Sequence, residues 1–178
     1  MCTLFFLAFP SAEAQGEEHT YQSKLVTINY NDKHLLEEFE KKIRPSSFSY
    51  ALNAIFLGEG GISKDASLGE FVDALFQRVQ QILGMPLPSL KVKIQLLKDQ
   101  KDVSWTYASI AAKLTKAPAF YWQKTNTIYL DPHEVSRGIL AHEMGHAVID
   151  HYFVIRPPPK IAEMLCQYVD KEISSQPF

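Results

Sequence analysis

The sequence predicts a chain that mixes α-helices with short β-strands, and three observations carry that reading. Leu90 to Leu97 alternates, with Val92, Ile94 and Leu96 on one face and Lys91, Lys93 and Gln95 on the other, the period of a half-buried strand. Phe71, Ala74, Leu75, Val79, Ile82 and Leu83 recur at helical spacing behind Ser67-Leu-Gly-Glu70, a capping box. Ile139 to Val148 is an apolar run that reads as helix and carries His142-Glu143-Met144-Gly145-His146. With 178 residues the chain makes one domain, large enough to bury a core. A net charge of −2 gives no reason to expect nucleic acid or an acidic membrane surface as partner.

From the N-terminus, Leu4 to Phe9 is a short apolar stretch and Ala12-Glu13-Ala14 is an A-x-A site, so residues 1–14 read as a signal peptide that lacks the usual basic start. Export, to a periplasm or beyond, is the expectation. Removal of that segment takes Cys2 with it and leaves Cys166 as the only thiol, so no intramolecular disulfide is expected. No later stretch is long enough to span a membrane.

Residues 15–23 are polar and read as a flexible leader, ahead of a domain over 24–178. Leu25 to Asn29 is rich in β-branched residues and reads as a strand. Asn31 or Asp32 can cap a helix whose apolar face is Leu35, Leu36, Phe39 and Ile43, ended at Arg44-Pro45. Phe48 to Leu57 fits helix or strand by periodicity and is read as helix; Gly58 to Ser67 is a loop without the context of a phosphate loop. Gly84, Pro86 and Pro88 stop the Ser67-capped helix. Asp102 to Leu114 is Ala-rich and reads as helix. Ala119 to Leu130 reads as a hairpin turning at Lys124 to Asn126, which delivers the chain into the motif helix from Val135 or Ser136. That helix ends near Phe153–Ile155, because Arg156-Pro157-Pro158-Pro159 forbids its continuation, and a last helix runs from about Lys160 to Lys171.

Two histidines four apart lie on one face of a helix, so His142 and His146 can converge on one tetrahedral metal. Glu143, beside the first of them, can reach water at that metal. The bland alternative is a pair of core histidines satisfying backbone groups. Uncharged Ala141, Met144, Gly145 and Ala147 argue against a solvated helix surface. His133-Glu134 repeats the start of the motif, but Arg137 stands where a second histidine belongs.

A catalytic zinc needs a third protein ligand and an open position. A metzincin would want Gly at 149 and His at 152; Ile149 and Tyr152 are there instead. Glu163, 17 residues after His146 and just past the proline turn, is the candidate, flanked by Ile161, Ala162, Met164 and Leu165, a poor setting for an unpartnered carboxylate. Its alternative is a glutamate on a solvated helix. Cys166, one turn on, can ligate a metal but is more simply a small packing residue. Gly145 costs about 1 kcal/mol against Ala inside a helix, which points to close approach of another segment, the Glu163 helix being the candidate.

His-Glu-x-x-His followed by Pro159-Lys-Ile-Ala-Glu163-Met-Leu-Cys166-Gln-Tyr168 resembles the gluzincin metallopeptidases, in particular the small bacterial peptidase-MA-like type. The resemblance covers about Ala119 to Asp170. It implies a zincin-like α+β fold, a small mixed sheet with an active-site helix and a C-terminal helix bearing the third ligand. It also implies hydrolysis of peptide or protein substrates, with Zn²⁺ on His142, His146 and Glu163 and Glu143 as general base. Met164 and Cys166 stand where the family commonly has Gly and Ala. Gln167 stands where thermolysin-like members place an Asp that orients a zinc histidine, and Asp150 is a rival for that role. Tyr152, His151 and Tyr168 are candidates for stabilising the oxyanion. Phe120–Trp122 or Thr127–Leu130 could pair with an extended substrate. The competing expectation, from another class, is a catalytically silent zinc-binding interaction module.

Overall fold

A computed structural model describes residues 17–44 and 66–175. The signal-like segment 1–14, the segment 48–57 and most of the glycine-rich loop that follows it lie outside the described residues.

Five strands form one mixed sheet: β1 (His19–Gln22), β2 (Val26–Tyr30), β3 (Val92–Leu96), β4 (Ala119–Trp122) and β5 (Thr127–Leu130). Their order is β1-β2-β3-β5-β4, with the central pairs β2–β3 and β3–β5 parallel and the outer pairs antiparallel. The parallel core follows from the helical crossover between β2 and β3, since parallel neighbours need a long return. The sequence predicts a flexible leader over 15–23, yet His19–Gln22 is strand. A polar strand at a sheet edge needs little apolar patterning, because its ladder to β2 is made of backbone groups. The Tyr21 hydroxyl then accepts the Gly69 N–H at 3.2 Å and ties this edge to a helix start.

Five α-helices are present among the described residues: α1 (Lys33–Ile43), α2 (Leu68–Leu83), α3 (Gln100–Ala111), α4 (Arg137–Tyr152) and α5 (Pro159–Ser175). Asp32 caps α1 through the His34 N–H, and Ser67 and Glu70 complete their capping box at α2. Gly84, at φ +64°, ends α2 in the left-handed conformation that glycine adopts at least cost. Helix α3 starts two residues earlier than its composition predicts, because the Asp99 carboxylate caps both Lys101 and Asp102. None of these helices is long and apolar enough to cross a membrane.

One sheet face makes the core. Ile28, Ile94, Ile128 and Tyr121 are successive neighbours across four strands, and the three isoleucines are fully buried. Against them pack Phe71, Leu75 and Phe76 of α2 and Leu140, Met144 and Val148 of α4. The other face carries Thr27, Lys93 and Gln95 and, among the described residues, is covered near β4 and β5. There Phe120 stacks on Tyr129 at 5.0 Å and receives the edge of Tyr107 from α3 at 4.9 Å.

Candidate metal centre

Helix α4 is buried on most of its circumference, including Ala141, Glu143, Met144, Gly145 and Ala147, as an apolar helix inside a domain should be. Ser136 caps it through the Ile139 N–H at 3.2 Å. His142 and His146 are partly open to the cleft, and their rings meet edge-on with centroids 5.0 Å apart. Arg156 and three prolines then turn the chain, and Pro159 occupies the first position of α5, where its missing N–H costs nothing.

Helix α5 folds back along α4. Gly145 is where they touch: a Cβ there would lie 3.1 Å from the Cys166 sulfur. That close approach accounts for a glycine inside a helix and brings Glu163 to the histidines. Its Oε1 is 3.6 Å from Nε2 of His142 and its Oε2 is 3.5 Å from Nε2 of His146. Donors around a tetrahedral ion with bonds of 2.0–2.1 Å are about 3.4 Å apart, close to each of these two spacings, which run to different carboxylate oxygens. His142, His146 and Cys166 form a second candidate set, with ligand atoms all within 4.8 Å of one another, and this group can hold a metal ion. Cys166 is thus both the buried packing residue expected and a neighbour of the metal donors.

The setting of Glu163 differs from the expectation. Ile161 and Met164 are exposed and the Glu163 side chain is 47% accessible, so apolar surroundings do not force a partner on it. Gln167, a turn away, donates its amide to Glu163 Oε1 at 3.1 Å and steadies the carboxylate instead of a histidine. Asp150 is not a histidine partner either: it pairs with Arg156 and lies 3.4 Å from the Tyr121 hydroxyl.

Glu143 lines the same cleft as the histidines, at the join of α4 with the sheet. The Tyr121 N–H donates to its Oε2 at 2.7 Å. The register explains why that N–H is free. Asp131 N–H reaches the Pro118 carbonyl, so Phe120 and Tyr129 form the next hydrogen-bonded pair. Ala119 and Tyr121, in the alternate positions, aim their backbone groups off the open edge of β4. Strand β5 lies inside the sheet, so Thr127–Leu130 has no free edge for a substrate, and only Phe120–Trp122 retains one.

Burial pushes the Glu143 carboxyl up to about 7, with the Glu163 charge adding to the rise and the Tyr121 N–H opposing it. Burial and neighbouring His142 hold His146 down at about 4, so its ring is neutral and keeps a lone pair for a metal.

These groups line a cleft of about 570 Å³ between β4, α4 and the start of α5, with Tyr107, Phe120 and Trp122 on its aromatic side. The three oxyanion candidates do not line it. His151 spends Nδ1 on the Ala147 carbonyl at 2.8 Å, Tyr152 packs edge-on against Phe153, and Tyr168 is exposed on the outer face of α5. Two residues to which the sequence assigns no side-chain role in the site do: Tyr121, read only as part of the strand Phe120–Trp122 that could pair with substrate, and Arg156, read only as a helix stop. The Arg–Pro–Pro–Pro run was the available signal for Arg156, because it fixes that side chain beside the end of the motif helix. Comparison with protein-family models, curated proteins and solved structures finds no match.

Proposed function

We propose that this protein is a zinc-dependent peptidase of the gluzincin kind, on a zincin-like fold, with His142, His146 and Glu163 as metal ligands and Glu143 as general base. The observation that carries the reading is Glu143 itself. A carboxylate that lines the cleft with His142 and His146 and is held near 7 by burial is poised to accept and return a proton at physiological pH.

Zinc, when bound, supplies Lewis acidity that polarises a carbonyl and makes water a nucleophile near neutral pH. Glu143 takes the proton from the attacking water and passes it to the leaving amine. The Tyr121 N–H keeps its carboxylate oriented through both transfers. An extended peptide can add to the β4 edge, where the outward carbonyl of Tyr121 and the backbone groups of Ala119 offer ladder bonds beside the histidines. Phe120 and Trp122 supply apolar surface there.

Cys166 favours a second reading, a zinc-binding interaction module without turnover. If the thiolate joins His142, His146 and Glu163, four protein ligands close the site and leave no open position for water. The two readings part in one experiment: zinc-loaded protein is incubated with a mixed peptide library, then with chelator, then with zinc restored. The peptidase cleaves, stops and resumes; a closed site cleaves nothing at any stage.

A further inference from the structure

We infer that Arg156 anchors a carboxylate of the substrate, so that the peptides this cleft takes carry an acidic group close to the bond that is cut. The inference rests on the peptidase reading and specifies its substrate class.

Arg156 is the one cationic side chain lining the cleft among the described residues. It is built into place from three directions. The prolines after it restrict its backbone to extended conformations. Asp150, 14% exposed at its side chain, grips one end of the guanidinium, and the Tyr121 hydroxyl lies against the other oxygen of that carboxylate. Half of the Arg156 side chain remains accessible, and a guanidinium has more N–H donors than one carboxylate accepts. Free donors on a preorganised fork match a second carboxylate better than any other group a peptide carries. The remaining carboxylates of the cleft, Glu143, Glu163 and Asp150, attract no anion, so Arg156 is the side chain there that can, and the Arg156→Gln arm of the test below separates its pull from that of a bound zinc.

Position separates this role from oxyanion stabilisation. Asp150 follows His146 by four residues, about 6 Å along α4, and Arg156 is held on Asp150. An oxyanion donor must come within about 3 Å of the reacting oxygen. An extended peptide advances about 3.4 Å per residue, so a group over Asp150 faces a substrate position about one to two residues from the bond held at the histidines. Arg156 is therefore a specificity residue.

The test separates binding from turnover. Zinc-loaded Glu143→Gln protein is titrated by calorimetry with N-acetylated hexapeptides that differ only in Glu against Gln at each position, and in a free against an amidated C-terminus. Carboxylate peptides are expected to bind about tenfold or more tighter than their amide twins, an advantage that Arg156→Gln removes and Arg156→Lys keeps in part. The Glu/Gln arm and the terminus arm tell a side-chain carboxylate from a chain end. Equal affinity for carboxylates and amides overturns the inference, as does a preference unchanged in a zinc-loaded, folded Arg156→Gln protein. Turnover of the same peptides by wild type is read separately. Preference without cleavage leaves the anchor standing and removes the peptidase; cleavage without preference does the reverse.

Discussion

The backbone N–H of Tyr121 donates to Glu143 Oε2 across 2.7 Å, fastening the open edge of the sheet to the helix that carries both histidines. One residue thus joins the two parts that a peptidase cleft requires, a strand edge and a proton acceptor. The same tyrosine reaches Asp150 with its hydroxyl, so its two ends span α4 on either side of His146.

Buried Glu143 and partly buried His146 predict opposing pH dependences in metal-free protein. Glu143 binds its proton up to about 7 when folded and up to 4.5 when unfolded, so its contribution to stability is present at low pH and is lost as pH rises through that interval. His146 titrates at about 4 folded and 6.5 unfolded, so its contribution is present above 6.5 and is lost as pH falls toward 4. The two slopes offset each other in wild type. In Glu143→Gln the histidine slope is no longer offset, and urea midpoints in the presence of chelator should fall more steeply from pH 6.5 to 4.5 than in wild type. Parallel curves would show that Glu143 is not held above its ordinary range.

Removing each candidate ligand tests the donor set. Glu163→Ala should weaken zinc binding by more than about a hundredfold, beyond what loss of a supporting contact costs. Cys166→Ser should change it by less than about tenfold, because the peptidase reading leaves sulfur outside the coordination. Competition with a chromogenic chelator measures both. The reverse order of effects would assign the metal to His142, His146 and Cys166.

Gly145→Ala gains about 1 kcal/mol of helix propensity in isolation. Its new Cβ meets the Cys166 sulfur at 3.1 Å, and both helices are packed, so the contact outweighs the gain. The variant should unfold at lower urea and bind zinc more weakly, since α5 is pushed from α4 with Glu163 on it. Cys166→Ala in the same chain should recover most of the stability lost. Recovery absent from the double variant would place the strain elsewhere.

Local signals were legible in the sequence wherever they act within a few residues. The capping box at Ser67, the alternation at Val92 to Leu96, the turn near Lys124 to Asn126 and the stop at Arg156 all appear in the structure, because each is decided by hydrogen bonds or sterics inside its own segment. The glycine at 145 also told correctly of a second helix packed on it. What the sequence could not give is lateral placement. Nothing in Thr127–Leu130 or Ala119–Trp122 says which strand lies inside the sheet and which has the open edge, and that order decides where a peptide can pair. Strand β1 was hidden because its stability comes from backbone ladder bonds to β2. The contacts of Tyr121 and Arg156 were hidden for the same reason: their partners, Glu143 and Asp150, come from another element.

Proton transfer by Glu143 in a zinc peptidase is read from zinc content and peptide turnover in wild type and Glu143→Gln. Equal zinc in both, with turnover in the variant reduced by about a hundredfold or more, is the predicted result. Equal zinc with no turnover by either protein on any peptide would contradict it and leave a zinc-binding module.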